Sequence, residues 1–146
     1  MLAMISLSLL HAAGDTGDRV RYKGGTVAGV VAGTAARIVL FHDDALQLDA
    51  RGHSVRIPWK DITTVEYGMR VSRRYVEAVL ISPVFLAAKR RTHYLTIGYV
   101  DAEGRQQAMV LEVGKASIRT LLVSLEAKSG KRIEYQDDDA RKAGKG

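Results

Sequence analysis

"LQLDARGHSVRIPWKDITTVEYG", Leu46 to Gly68, reads as strand, turn, strand, turn, strand. Leu46 and Leu48 alternate with Gln47 and Asp49, and Val55 and Ile57 alternate with Arg56. A period of two sends one face of each strand into a core and the other into water, the mark of an antiparallel meander. Arg51-Gly52-His53 and Lys60-Asp61 supply the turns. Pro58 ends its strand, because its nitrogen has no proton to donate to a ladder.

The same grammar extends in both directions. Upstream, "RIVLF" precedes a His42-Asp43-Asp44 turn, and "DRVRYKGG" alternates Val20 and Tyr22 with Arg19, Arg21 and Lys23. Between them, glycines at 24, 25, 29 and 33 have the spacing of packed membrane helices. The run is short and β-branched, so a strand or loop with close backbone approach is the better reading. Downstream, "HYLTIGYVDAEGRQQAMVLEV" predicts a hairpin. Leu95, Ile97 and Tyr99 lie on one face of its first arm and Met109, Leu111 and Val113 on one face of the second. In "KASIRTLLVSLEAKSGK", Ile118, Leu121, Leu122 and Leu125 form the stripe of one helix face, and Gly130 stops the helix. The residues after Tyr135 read as a polar tail.

A chain of 146 residues is one domain by length, with 47% hydrophobic and 26% charged residues, ordinary globular values. The absence of cysteine excludes disulfides, thiolate zinc sites and a Cys nucleophile. The net charge of +6 is unevenly placed: residues 51–93 hold nine Lys/Arg against three Asp/Glu. Residues 1–14, "MLAMISLSLLHAAG", are uncharged and apolar and read as a short secretory signal cleaved after Gly14. A misassigned start or a loose apolar terminus is the other reading. The first implies export to the periplasm or beyond, the second a cytoplasmic protein peripheral to the membrane.

About seven short antiparallel strands followed by one amphipathic helix resemble a bacterial pleckstrin-homology-like (PH-like, GRAM-like) domain. "LQLDARGHSVRIPWKDITTVEYG" and "HYLTIGYVDAEGRQQAMVLEVGK" carry the resemblance, which covers residues 20–130. It implies a mainly β (α+β) fold, an antiparallel barrel of about seven strands closed by the C-terminal helix. The domain would span 15–135, with 136–146 as its tail. It also implies binding or scaffolding in place of catalysis. In lipid-binding members, basic residues between the first two strands hold phosphorylated headgroups; here that region has only Lys23 and Arg37 and matches no such motif.

The stretch "RRYVEAVLISPVFLAAKRR", Arg73 to Arg91, breaks the regular meander. Pro83 and the length of its apolar middle exclude a spanning helix. One reading makes "YVEAVLI" a barrel strand with solvated charged ends. The other makes Val84, Phe85 and Leu86 an exposed apolar loop. Arg73, Arg74, Lys89, Arg90 and Arg91 then meet an anionic membrane surface or an acidic protein partner, at about 1 kcal/mol per cation. The alternative function is a protein-interaction scaffold that docks a peptide or a second copy of the chain. His42, Asp43 and Asp44 read as a turn in place of a metal site, and His93 as a strand edge beside the basic triplet. Trp59 reads as core at the barrel rim. No Ser or His sits in a context that activates a nucleophile, so neither an enzyme nor a cofactor is expected. Tyr94 and Tyr99 fall on opposite strand faces, which argues against a base-stacking platform and hence against nucleic acid.

Overall fold

The computed structural model describes residues 17–78 and 92–145. Within them eight strands form one sheet. They are β1 (Asp18–Gly25), β2 (Ala35–Val39), β3 (Ala45–Ala50), β4 (His53–Pro58), β5 (Ile62–Gly68), β6 (His93–Val100), β7 (Gln106–Val113) and β8 (Ile133–Tyr135). Helices α1 (Arg73–Ala78), α2 (Ile118–Ser129) and α3 (Asp138–Lys145) accompany them. The proposed signal, residues 1–14, lies outside the described residues.

The strand order is β4-β3-β2-β1-β7-β6-β5-β8, antiparallel except for the parallel β5–β8 pair. The fold is therefore mainly β, as the alternation predicts, but the sheet is not closed into a barrel: β4 and β8 are its edges. Strand β8 follows α2 and pairs in parallel with β5. It thereby occupies the edge of β5 that closure would need. Helix α2 packs against both β5 and the 3-10 turn Trp59–Asp61 that follows β4.

Alternation places Val20, Tyr22, Leu46, Leu48, Ile57, Leu95, Ile97, Met109 and Leu111 in one continuous core. Ile118, Leu121, Leu122 and Leu125 of α2 complete it, a burial worth roughly 6–12 kcal/mol in transfer terms. Gly130 ends α2 in the left-handed conformation, φ +69°, and its N–H donates to the Glu126 carbonyl. Trp59 is core, its Nε1 donating to the His42 carbonyl at 3.0 Å with Lys128 Nζ 5.6 Å from the ring centre. Close backbone approach is real at Gly25, where a Cβ would strike the Ala108 carbonyl oxygen and lie 2.8 Å from the Met109 Cα. Strands β6 and β7 are covered on both faces. Tyr99 joins the main core, while Tyr94 and Val110 form a second cluster with Val71 on the outer face. No bulge interrupts the β6–β7 register, so strand parity decides the two tyrosines as expected.

Two expectations are corrected. The polar tail folds as α3 instead of leaving the domain. Asp137 caps it: Oδ1 accepts the Ala140 N–H at 2.6 Å while Oδ2 accepts the Met69 N–H at 3.1 Å. Asp138 and Asp139 then complement the positive end of the helix dipole. Ala140 is fully buried, and Gly144 lies against Tyr135 and Leu122. Second, Arg73–Ala78 is helical, not a strand. Tyr75 and Val76 donate their N–H groups to the Ser72 carbonyl, and Arg73 Nε meets Glu77 Oε1 at 2.7 Å one turn on.

Candidate functional site

Helix α1 has only 6 residues and carries two arginines in its first turn, where the dipole disfavours cations. Tertiary contacts must therefore hold it, and two neighbouring side chains do so. Tyr75 is buried, its hydroxyl hydrogen-bonded to Thr64 Oγ1 and seated over Gly98 of β6. A Cβ at residue 98 would overlap that hydroxyl and lie 2.5 Å from Thr64 Oγ1, so glycine makes the seat. Arg74 supplies the second contact. The parallel β5–β8 register sets Glu66 directly beside Glu134. Arg74 Nη2 lies between them, in a short contact with Glu66 Oε1 and 3.2 Å from Glu134 Oε2.

Glu66 is the buried member of this triad, its side chain 3% exposed against 52% for Glu134. Burial pushes its carboxyl above the usual carboxylate range, and the Arg74 guanidinium pulls in the opposite direction. Arg74, expected as a contact for an external anion, is thus engaged within the chain. Arg73 has its side chain 91% exposed and, among the described residues, pairs with the exposed Glu77. Phe85, Lys89, Arg90 and Arg91, with the rest of the apolar middle, lie outside the described residues.

His93 is buried at the start of β6, where the sequence suggested a strand edge. Burial pushes Tyr67 up to about 12, so its hydroxyl keeps its proton, and it is hydrogen-bonded to His93 Nδ1 at 2.5 Å, with the donor set by the imidazole tautomer. Burial first, and Lys115 second, holds the His93 imidazole below its ordinary range. A cavity of about 560 Å³ opens beside it, bounded by Met69, Lys115 and Asp139.

A second basic cluster escaped the sequence reading. Arg19, Arg21, Arg37 and Arg51 line one open trough of about 950 Å³ on the outer face of β1–β4. Net charge over long windows hid it, because three of these arginines belong to the first 50 residues, which hold more acid than base. The signal was present in the alternation: if Val20 and Tyr22 face the core, Arg19 and Arg21 share the other face. Among the described residues, no group of three His, Asp or Glu side chains could hold a metal ion. No helix among them is long and apolar enough to cross a membrane. No family model matches the chain, and no curated protein matches it.

Proposed function

We propose that the chain is a non-enzymatic binding module of PH-like architecture. Its basic, partly apolar arm, residues 73–91, contacts an anionic membrane surface or an acidic partner. The observation that carries this reading is the division of labour on α1. Tyr75 and Arg74 hold α1 to the outer face of the sheet, which leaves Arg73 in solvent at the head of a stretch of sequence that ends in Lys89-Arg90-Arg91. Clustered cations attract phosphate-bearing surfaces at about 1 kcal/mol each, with strong salt dependence. The strand order β4-β3-β2-β1-β7-β6-β5 followed by α2 supports the PH-like reading, since it joins two antiparallel meanders, β1–β4 and β5–β7, and places a helix after the last of them. Export follows where residues 1–14 act as a signal; the alternative is a peripheral protein on the cytoplasmic side.

Sedimentation with anionic and neutral vesicles, at low and high salt, tests the proposal. Binding to anionic vesicles alone, weakened by salt and by Arg73→Glu with charge reversal at 89–91, is expected. Equal binding to both vesicle types, or none to either, refutes the membrane role. The rival reading, a scaffold for a peptide or a second copy, draws on β4, a 6-residue strand at the edge of the sheet formed by the described residues. It predicts a saturable protein partner that survives the charge reversals.

A further inference from the structure

Helix α2 has two faces, and the core uses one of them. Ile118, Leu121, Leu122 and Leu125 are buried, whereas Thr120, Val123, Ser124 and Ala127, at i, i+3, i+4 and i+7, form a second stripe on the outward side. That stripe carries no charge, although the outward face of a surface helix is ordinarily its charged one. Val123 is 66% exposed on it. Phe41, 57% exposed, stands at its edge, lining a cleft of about 260 Å³ together with Thr120 and Ser124. Of the large hydrophobic side chains exposed among the described residues, Val123 and Phe41 thus share one side of the molecule, and Val31 lies in the β1–β2 loop. An exposed apolar face bordered by polar residues marks a contact surface.

The charges that border the stripe suit a copy of itself. Arg119 and Glu126 stand two turns apart on the same edge of α2. Neither forms an ion pair among the described residues. Arg119 Nε donates to the Ala143 carbonyl at 3.3 Å, a contact that positions the guanidinium without neutralising it. Laid antiparallel about a twofold axis at Val123, two α2 helices bring position 119 of one opposite position 127 of the other. Arg119 then lies one residue, about 1.5 Å along the axis, from Glu126 of the second copy, and the symmetry makes that pair twice. A parallel arrangement would set Arg119 against Arg119 and Glu126 against Glu126, which like charges disfavour. Antiparallel pairing also aligns the two helix dipoles favourably.

We propose that the outward face of α2, with Phe41 at its edge, binds a second copy of the chain, helix against antiparallel helix, with Val123 on the twofold axis and an Arg119–Glu126 pair on either side of it. A helix of 12 residues is about 18 Å long, so the contact falls at the small end of specific interfaces and the dimer exchanges with monomer. The contact needs neither the 73–91 arm nor strand β4, and it stands or falls without them.

Sedimentation equilibrium of the full chain over a range of concentrations is the test, with circular dichroism to establish that each variant is folded. The wild type is expected to dimerise reversibly. Val123→Lys sets two cations face to face on the axis and should weaken the dimer at least about tenfold. Arg119→Glu and Glu126→Arg should each weaken self-association about tenfold, because symmetry counts each reversal twice. Mixed in equal amounts, those two variants should associate with each other as tightly as the wild type does with itself, since an all-acidic edge then faces an all-basic one. The double variant Arg119→Glu/Glu126→Arg should dimerise like the wild type. A chain that stays monomeric at the highest concentration overturns the proposal, as does a dimer that Val123→Lys leaves intact. So does failure of the two folded single variants to associate on mixing.

Discussion

Arg74→Met tests whether α1 is held by charge. The substitution keeps much of the apolar stem and removes the cation from between Glu66 and Glu134, together with its contact over the Tyr75 ring at 4.9 Å. Removing one partner of a fully buried pair costs about 3–5 kcal/mol. Arg74 itself is 56% exposed, so water screens part of the pair and about 2 kcal/mol is the expected loss at neutral pH. In a domain of this size that lowers Tm by about 8 °C. The loss should also depend on pH. Because the folded Glu66 pKa is raised above the ordinary value of 4.5, the folded state holds this proton more tightly than the unfolded state. Stability on this account is greatest below 4.5 and declines as pH rises through the folded pKa. Without Arg74 the folded pKa moves further up, so the decline is deeper and reaches toward neutrality. Urea melts of wild type and Arg74→Met from acid to neutral pH should show curves that diverge as pH rises. Adding Glu66→Gln to Arg74→Met should restore most of the deficit. A deficit that stays constant with pH, or that Glu66→Gln fails to rescue, refutes the charge argument and leaves Arg74 as a packing residue.

Gly98→Ala should cost about 1–3 kcal/mol by overpacking the seat of Tyr75, and limited trypsin digestion should cut faster at Arg73 and Arg74 while the core stays folded. For His93, whose folded pKa lies below 6.5, the unfolded state takes up protons first as pH falls. Its contribution should therefore be lost as pH drops from 6.5 toward the folded value, visible as an acid-shifted ring titration by NMR and a flatter stability profile in His93→Gln.

Much of the fold was legible because strand and helix periodicities are local. Val20, Tyr22, Leu46, Leu48 and Ile57 alternate with polar residues and all reach the core; Ile118, Leu121, Leu122 and Leu125 lie on one helix face and do the same. Ile133-Glu134-Tyr135 shows no comparable pattern, since three residues are too few for a period, and only the edge of β5 makes them a strand. Helix α3 was missed for a similar reason: Asp137 signals a cap, but Ala140 and Gly144 are small, and their burial depends on Tyr135 and Leu122 arriving from elsewhere.

The candidate sites divide along the same line. By itself the sequence determined that Arg19 and Arg21 face away from the core and that 73–91 interrupts the meander with its charges at the ends. Only the tertiary structure decided which of those charges remain outward. The parallel β5–β8 register set two carboxylates side by side, and Arg74 turned inward to meet them. The β1–β2 register and the β3–β4 turn brought Arg37 and Arg51 to the arginines of β1. Facing is a property of one strand and can be read along the chain, whereas the partners of a charge are set by register between strands distant in sequence.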